Sequence, residues 1–308
     1  MSQRTIHILG TSAQVPTRTR NQGGYFLKWD EHGFLFDPGE GTQRRLIYHN
    51  ISSSSITKIF ITHFHGDHCL GLAGIIQRIS VDQVQHEIEV YFPEYGAEYY
   101  DNLRHSTLFH DMARIVPKPF SSAGIIFQNN KLSISCQPLN HTVETWGFRI
   151  VEKDSRTLLP AKLSKTGIDR NSIKSLLTSE TVDIDDRHVR IEEVSRLKPG
   201  QRFAFIMDTR YCQSAIDLAQ DADIMVCEST YLSADAALAD EYGHLTAAQA
   251  AEIARQAGVK MLVLTHYSQR YLSSEAFADE ASKLHPNVVA ANDGDVIKFP
   301  PNPRNIDV

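Results

Sequence analysis

Cysteine and long apolar runs are both scarce in this chain of 308 residues, and each scarcity excludes a class of protein. No two cysteines form a C-x-x-C pair, and the chain is far longer than a small disulfide scaffold, so free thiols in a reducing compartment are expected. No segment approaches the roughly 18 apolar residues that cross a bilayer, so no membrane span is expected. Residues 1–5 lack the basic start and apolar stretch of a secretory signal, so we expect a cytoplasmic protein. The four cysteines are Cys69, Cys136, Cys212 and Cys227.

Positive charge is also in deficit. The chain has 31 Lys and Arg against 37 Asp and Glu, a net charge of −6, which is not the composition of a general polyanion binder. The exception is Lys153–Pro199, a polar segment whose first half is basic. This segment is interpreted either as a solvent-exposed insertion or as an arm that contacts phosphates. Its first half sets six basic residues against Asp154 and Asp169, and these are Lys153, Arg156, Lys162, Lys165, Arg170 and Lys174.

Short apolar runs alternate with helical stretches along the rest of the chain. Each run has the length and the β-branched or aromatic content of a strand. The predicted helices are residues 71–79, 246–257 and 274–284, and Thr246 is the expected N-cap of the second. Many strands with helices between them predict an α/β (α+β) architecture of layered sheets covered by helices. The predicted strands are residues 5–9, 25–29, 34–37, 56–62, 88–92, 132–136, 147–151, 203–208, 224–228, 261–265 and 288–291.

Histidine, in contrast, is abundant, with 14 residues, and the densest group follows a predicted strand. Residues 62–68 read THFHGDH, which puts three imidazoles and one carboxylate within six residues. His63 and His65 point to the same side of a strand, and Gly66 permits a sharp turn that brings Asp67 and His68 round to them. Imidazole and carboxylate together suit Zn²⁺, with Mn²⁺ or Fe²⁺ as alternatives. Surface histidines in a turn are the other interpretation, and so dense a cluster after an apolar strand disfavours it.

Three further strand ends carry a candidate ligand. His141 follows the predicted strand 132–136, Asp208 ends the strand 203–208, and His266 follows the strand 261–265. Taken alone, each residue has a structural explanation, as a polar edge histidine or as an aspartate N-cap. Together with the first cluster they supply five histidines and two aspartates, enough for two cations that share a bridging carboxylate.

The order and spacing of these seven residues resemble the metal ligands of the metallo-β-lactamase fold superfamily. The resemblance covers nearly the whole chain. It implies a single domain over residues 1–308, built as a four-layer αββα sandwich, with a protruding basic arm inserted at residues 153–199. It also implies that three histidines hold one cation, that Asp67 and two histidines hold the other, and that Asp208 bridges them. The histidines are His63, His65 and His141 for the first cation, and His68 and His266 for the second.

Shorter motifs are similar to those of the ribonuclease Z family, the tRNA 3′-processing endoribonucleases. Residues 16–21 read PTRTRN, like the family's Pro-x-Lys/Arg-x-Arg-Asn loop, and residues 36–43 (FDPGEGTQ), 208–210 (DTR), 228–230 (EST) and 243–246 (GHLT) resemble its other motifs. Four features depart from the family. The arm has no Gly-Pro-rich turn, residues 77–80 read QRIS in place of a Ser-Arg-Ser segment, Pro38 replaces a cysteine, and Cys227 replaces a histidine. The resemblance implies an arm that binds tRNA and a homodimer. It assigns substrate binding to Arg18, Arg20, Asn21, Arg210 and Thr246.

The same resemblance marks His244 as the proton donor to the leaving 3′ oxygen. Glu228 would hold its other ring nitrogen and keep the ring protonated, since a nearby carboxylate favours imidazolium. Asp67 would orient the attacking water or accept its proton. Without the resemblance, His244 is also interpreted as an exposed histidine at a helix start, and Arg18 and Arg20 as part of a mobile polar loop.

The resemblance implies a zinc-dependent endoribonuclease that removes the 3′ trailer from precursor tRNA by metal-activated water and leaves a 3′-hydroxyl. Two Zn²⁺ per subunit are expected, with Mn²⁺ or Fe²⁺ as alternatives. A second hypothesis keeps the fold but makes the chain a phosphodiesterase or other hydrolase of another RNA or a small ester. A third makes it a metal-binding or RNA-binding relic without activity, which the intact Asp67 and His244 disfavour. The basic arm favours the first hypothesis, because a small-molecule enzyme has little need for it.

Overall fold

The computed structural model describes residues 4–184 and 187–300, and the chain forms two compact units. The larger unit contains the residues up to 128, residues 133–150 and residues 202–300. Its first sheet consists of β1 (Thr5–Gly10), β2 (Gly24–Trp29), β3 (His32–Phe36), β4 (Lys58–Phe60), β5 (Ile88–Pro93), β6 (Ile115–Phe120) and β18 (Val296–Lys298). The spatial order is β18-β1-β2-β3-β4-β5-β6, antiparallel up to β3 and parallel from β3 to β6.

The second sheet also has seven strands, in the order β17-β16-β15-β14-β9-β8-β7. These are β7 (Gly124–Gln128), β8 (Leu132–Leu139), β9 (Thr145–Glu152), β14 (Arg202–Ile206), β15 (Ile224–Glu228), β16 (Leu262–Thr265) and β17 (Val288–Ala290). β14 to β17 are parallel, so their carboxyl ends lie at one edge of the sheet.

Aromatic side chains hold the two sheets face to face. The ring centroids of Phe36 in β3 and Phe205 in β14 are 4.7 Å apart, and those of Phe60 in β4 and Phe148 in β9 are 5.2 Å apart. Because alternate residues of a strand face opposite sides, the neighbours of these phenylalanines point away from the other sheet and form separate clusters with the helices.

Helices cover the outer face of each sheet. The helices that follow strands of the first sheet are α1 (Thr42–Tyr48), α2 (Gly66–Cys69), α3 (Leu72–Val81) and α4 (Ala97–Arg104). Those that follow strands of the second are α8 (Gln213–Ala219), α9 (Ala236–Tyr242), α10 (Ala247–Gln256) and α11 (Glu275–Ala281). Buried residues of α1 and α3 join the core of the first sheet, and those of α8, α10 and α11 join the core of the second. The result is the four-layer αββα order that the sequence predicts.

The smaller unit contains residues 129–132 and 151–201, and so includes the basic segment. Its elements are β10 (Ser155–Leu158), α5 (Pro160–Leu163), α6 (Arg170–Ser179), β11 (Thr181–Ile184), β12 (Arg187–Arg190), α7 (Ile191–Val194) and β13 (Ser195–Lys198). β10 pairs with β13, and β11 pairs with β12. A small core of its own contains Leu176, Val189, Ile191 and Val194. The basic segment is therefore a folded unit with paired strands, which its polar composition did not predict.

All eleven predicted strands and all three predicted helices are present, with ends shifted by a few residues. β6, β7 and β18 were missed because few of their residues are buried, and the helices α1, α4, α8 and α9 were not predicted either. No helix among the described residues is both long and apolar enough to span a membrane. Residues 1–3, part of the segment from which a cytoplasmic location is predicted, lie outside the described residues.

Candidate metal centre

The predicted ligands all follow strand ends, and the backbone there is unusual. Asp37 after β3, Asp208 after β14 and His266 after β16 have φ angles of 41°, 48° and 61°. A non-glycine residue in this left-handed region costs roughly 1–3 kcal/mol and is found mainly where other contacts hold it in place. These three positions belong to the polar cluster, and the hydrogen bonds described below hold Asp37 and His266 in place.

The seven residues predicted as ligands form two groups, in each of which the candidate ligand atoms lie within 4.8 Å of one another. Asp208 Oδ2 is 3.6 Å from Nε2 of His63 and 3.7 Å from Nε2 of His141. The other aspartate, Asp67, has Oδ2 3.4 Å from His68 Nε2 and 3.3 Å from His266 Nε2. The first group contains His63, His65, His141 and Asp208, and the second contains Asp67, His68 and His266.

Several buried polar atoms of this cluster lack a hydrogen bond, which is the pattern expected of metal ligands. Throughout the described residues, a buried polar atom without a partner is rare, because desolvation without a hydrogen bond costs about 1–3 kcal/mol. Four such atoms point into this one cluster: Nε2 of His63, His68 and His141, and Oδ1 of Asp208. Imidazole nitrogens and a carboxylate are donors that suit Zn²⁺, Mn²⁺ or Fe²⁺, so the residues fit divalent cations.

Hydrogen bonds at the opposite ring nitrogens orient two of these histidines through Asp37. The fully buried Asp37 carboxylate accepts from Thr62 N (2.8 Å), from Thr62 Oγ1 (2.7 Å) and from His68 Nδ1 (2.9 Å). Since the Thr62 hydroxyl donates to Asp37, it accepts from His63 Nδ1 at 2.9 Å. Both rings therefore carry a proton on Nδ1 and turn Nε2 towards the cluster.

Two other histidines are oriented in the same way. Thr230 Oγ1 donates to the Glu228 carboxylate (2.7 Å) and accepts from His266 Nδ1 (3.1 Å). His141 Nδ1 donates to the carbonyl of Gly243 at 2.8 Å, and Gly243 has the left-handed φ of 79° that glycine adopts readily. Four of the five predicted histidine ligands are thus held with Nε2 facing inward.

The ionisation of Asp67, Asp208 and His63 suits cation binding, because metal ligands must be deprotonated. Burial lowers the pKa of His68, but the charges of Asp208, Asp67 and Asp37 raise it well above normal, so a bound cation would displace a proton from this ring. Burial raises the pKa of Asp67, but the charge of His68 and a hydrogen bond from His266 outweigh burial and hold the pKa below its usual value. Burial raises the pKa of Asp208 as well, and the charges of His266 and His68 again lower it well below normal. Burial lowers the pKa of His63, and the charge of His68 lowers it further.

His244 and Glu228 form an ion pair at the side of this cluster. His244 Nδ1 is 3.0 Å from Glu228 Oε1. Glu228 is fully buried and also accepts from the backbone amides of Thr209 (2.7 Å) and Leu245 (3.1 Å). Burial lowers the pKa of His244, but the charges of Glu228 and Asp208 and the Glu228 hydrogen bond raise it to about 9. His244 also belongs to a third possible ligand group with Asp208 and His266.

A main-chain contact ties the loop before β2 to Asp67. Gln14 N donates to Asp67 Oδ2 at 2.7 Å, with Gln14 in the left-handed region at φ 62°. The buried Gln22 side chain holds this geometry, since its Nε2 donates to the Gln14 carbonyl (2.8 Å) and its Oε1 accepts from Glu40 N (2.8 Å). Asp37 was not predicted, although the sequence marks it as a strand-end carboxylate like Asp208. Gln14 carried no such signal, because its contact is made by the backbone.

The residues predicted to bind substrate are mostly engaged in internal hydrogen bonds. Arg20 is 8% exposed, donates to the Tyr271 carbonyl (2.8 Å) and packs over the Tyr267 ring, so its burial does not agree with the predicted phosphate contact. Asn21 donates to the carbonyl of Glu40 at 2.8 Å. Arg18 is exposed.

Arg210 and Thr246 occupy structural positions close to His244. The Arg210 guanidinium donates to the carbonyls of Asp240 (2.8 Å) and Glu241 (3.4 Å) at the end of α9. Thr246 is the N-cap of α10, where its hydroxyl accepts from Gln249 N at 3.2 Å. Both residues therefore stabilise the segment that carries His244, and substrate contact stays a prediction for them.

Comparison with known proteins agrees with the fold and the cluster. Residues 24–137 match the family model of the metallo-beta-lactamase superfamily, and residues 189–267 match that of the beta-lactamase superfamily domain. The layers and the His/Asp cluster thus define a protein of the metallo-beta-lactamase superfamily. The chain is 46% identical to ribonuclease Z of Salinispora arenicola over 98% of both chains, and 45% identical to ribonuclease Z of Chlamydia abortus over 99% of this chain and 100% of that one. It belongs to the ribonuclease Z family.

Solved structures give the same picture of the fold. The short form of human tRNase Z superposes with a TM-score of 0.72 at 25% identity, over 96% of this chain and 99% of that one. The metallo-beta-lactamase fold protein YhfI from Bacillus subtilis superposes with a TM-score of 0.70 at 15% identity, over 97% and 100%. At that lower identity the likeness concerns the fold alone.

Proposed function

We propose that this chain is a metal-dependent endoribonuclease that hydrolyses precursor tRNA, removes its 3′ trailer and leaves a 3′-hydroxyl on the tRNA. The observation that carries this proposal is the convergence of both ligand groups and of His244 on one cavity of about 780 Å³. The membership of the ribonuclease Z family supports RNA as the substrate.

The proposed cofactor is a pair of Zn²⁺ ions per subunit, with Mn²⁺ or Fe²⁺ as alternatives. His63, His65 and His141 would hold one ion, and Asp67, His68 and His266 the other, with Asp208 between them. Divalent cations in such a site act as Lewis acids, which lower the pKa of water and stabilise negative charge on phosphoryl oxygens. The inward-facing nitrogens without hydrogen-bond partners support this assignment.

The chain's own residues would carry out the proton transfers. In the proposed hydrolysis, a water oxygen forms a bond to phosphorus while the bond from phosphorus to the 3′ oxygen breaks. His244 donates a proton to that 3′ oxygen, and Glu228 holds the ring in place through Nδ1. Asp67, fixed by the Gln14 amide, orients the water or accepts its proton.

The unit at residues 151–201 is the proposed tRNA-binding arm. Its arginines are largely paired, since Arg156 contacts Glu192 (3.0 Å) and Arg187 contacts Glu193 (3.2 Å). Its lysines at 153, 162, 165 and 174 are exposed, and within the described residues their ammonium groups make no ion pair. Exposed ammonium groups suit contacts with phosphates. We also propose a homodimer in the cytoplasm, as the family resemblance implies.

Cleavage of a precursor tRNA beside a single-phosphate ester, bis(p-nitrophenyl) phosphate, tests this function. We expect cleavage at the trailer junction, a product whose 3′ end accepts ligation, and two metal equivalents by elemental analysis. Hydrolysis of the ester without cleavage of the tRNA would favour the alternative, a hydrolase of another RNA or a small ester. Absence of both activities in the metal-loaded protein would favour a binding relic.

Removal of residues 153–199 tests the arm. Because its contacts would add affinity that falls with salt, we expect a far larger loss on precursor tRNA than on the small ester. Replacing Lys162 and Lys165 by Gln in the intact chain is the matched control for damage to the fold. Equal losses on the two substrates would mean that the arm supports the fold.

A further inference from the structure

The cavity over the ligand cluster is poor in positive charge. Of the residues that line it, Arg270 is the single lysine or arginine within the described part of the chain. Arg18, Arg20 and Arg210, to which the sequence assigns substrate binding, are not among the lining residues. A polyanion that enters this cavity would therefore meet one permanent cationic side chain besides the metal ligands and His244.

Arg270 is held flat against the cavity wall by two contacts. Its guanidinium lies over the Tyr231 ring, 5.3 Å from the ring centroid, and its Nη1 donates to Asp235 Oδ1 at 3.1 Å. Asp235 is fixed in turn by the Tyr271 hydroxyl. The Arg270 side chain nevertheless remains 42% exposed, and the single bond to Asp235 leaves most of the five N–H groups of the fork for another acceptor.

Tyr231 connects this arginine to the proposed proton donor. Its backbone is tied to the segment after His244, with Tyr231 N donating to the Leu245 carbonyl (3.2 Å) and Ala247 N donating to the Tyr231 carbonyl (2.9 Å). The Tyr231 and His244 rings lie 6.2 Å apart. Arg270 therefore lies on the side of the cavity where His244 would protonate the leaving oxygen.

We propose that Arg270 binds the phosphate immediately 5′ to the scissile one, on the tRNA side of the cleaved bond, an assignment that rests on the proposed function. The leaving 3′ oxygen, which His244 would protonate, belongs to the last nucleotide of the tRNA. The phosphate on the 5′ side of that nucleotide would therefore lie beyond His244, in the direction of Arg270. A planar guanidinium held by a tyrosine ring is suited to a phosphate oxygen, because little further ordering is needed when the contact forms.

Arg270→Gln tests the contact by comparing two substrates. Loss of a charged hydrogen bond predicts a fall in kcat/KM on precursor tRNA of roughly 10- to 100-fold. Bis(p-nitrophenyl) phosphate has one phosphate, so the fall in kcat/KM on this ester should be at least about tenfold smaller. Arg270→Lys keeps the charge without the fork and should recover part of the loss. The matched control is Arg255→Gln, which removes another exposed arginine held by a carboxylate, Glu252, on a helix that does not line the cavity.

Precursor tRNAs with a single uncharged methylphosphonate linkage identify the phosphate. With the linkage 5′ to the scissile phosphate, the Arg270→Gln penalty should largely disappear, since the two changes remove the same contact. With the linkage on the trailer side, the penalty should persist. A penalty that disappears only with the trailer-side linkage, that is equal on both substrates, or that is absent overturns the proposal. Failure of the proposed function is distinct, because the unmodified enzyme would then leave precursor tRNA uncut.

Discussion

Asp37 and Glu228 are buried carboxylates at the strand ends of opposite sheets, and they share one pattern of hydrogen bonds. Each accepts from a backbone amide, from a threonine hydroxyl and from a histidine Nδ1. In each case the threonine hydroxyl accepts a hydrogen bond from Nδ1 of a second histidine, Thr62 from His63 and Thr230 from His266. The two sheets thus orient the histidines of the cluster with the same arrangement of donors and acceptors.

The difference lies in the histidine that each carboxylate contacts directly. Asp37 contacts His68, a proposed ligand whose Nε2 faces both Asp67 and Asp208 at 3.4 Å. Glu228 contacts His244, which sequence resemblance places outside the ligand set. The comparison teaches that a buried carboxylate fixes the ring, whereas the surroundings of Nε2 determine whether the ring binds a cation or transfers a proton.

The largest effect should come from the residue where both ligand groups meet. Asp208→Ala removes the oxygens that lie 3.4–3.7 Å from the Nε2 atoms of His63, His68, His141 and His266. We expect loss of both metal equivalents and of activity to the level of a blank reaction, because both ligand groups would lose their shared carboxylate and only His68 and His266 would still face one, that of Asp67. Elemental analysis after gel filtration measures the metal. Two retained equivalents would contradict the bridging assignment.

The next effect separates the proton donor from the ligands. His244→Ala should keep both metals and bind tRNA, but lose turnover by about 10²–10⁴-fold, as expected for removal of a general acid. An ester with a nitrophenolate leaving group, which needs no proton, should recover much of this loss. Loss of a metal ion would instead place His244 in the third ligand group, with Asp208 and His266. Asp37 and Glu228 would then both orient metal ligands.

The sequence predicts which residues come together in the His/Asp cluster because its signal is local. Three histidines and an aspartate lie within six residues, and His141, Asp208 and His266 follow apolar strands that periodicity identifies. The positions of the arginine side chains were less predictable, since charge alone does not say where a side chain points. Arg20 is buried against Tyr267, whereas Arg270, which no motif marked, lines the cavity.

Substituting the two carboxylates tests the comparison directly. Asp37→Asn leaves a neutral amide beside His68 and should weaken metal affinity by about 10- to 100-fold, the usual cost of losing a carboxylate behind a metal-binding histidine.

Glu228→Gln, in contrast, should lower turnover more than metal affinity. The raised pKa of His244 keeps its ring protonated up to about pH 9, so kcat/KM should fall as the pH rises through that value. Without the Glu228 charge this fall should begin at lower pH. Identical metal loss in both variants, with unchanged pH profiles, would remove the distinction.

The smallest effect concerns the two threonines, and it shows whether each threonine serves a different cation. Thr62→Val and Thr230→Val keep the side-chain volume but leave a buried Nδ1–H without its acceptor, on His63 and His266 respectively. Loss of the hydrogen-bond partner behind a metal-binding histidine usually weakens metal binding by about 10- to 100-fold. We expect the lower end of that range here, roughly tenfold, because each lost partner is a neutral hydroxyl. Anomalous scattering from crystals at limiting zinc measures the occupancy of each position separately. Thr62→Val should empty the position next to His63, and Thr230→Val the position next to His266. If both variants deplete the same position, the cluster behaves as one coupled site, and the two threonines do not act on separate ions.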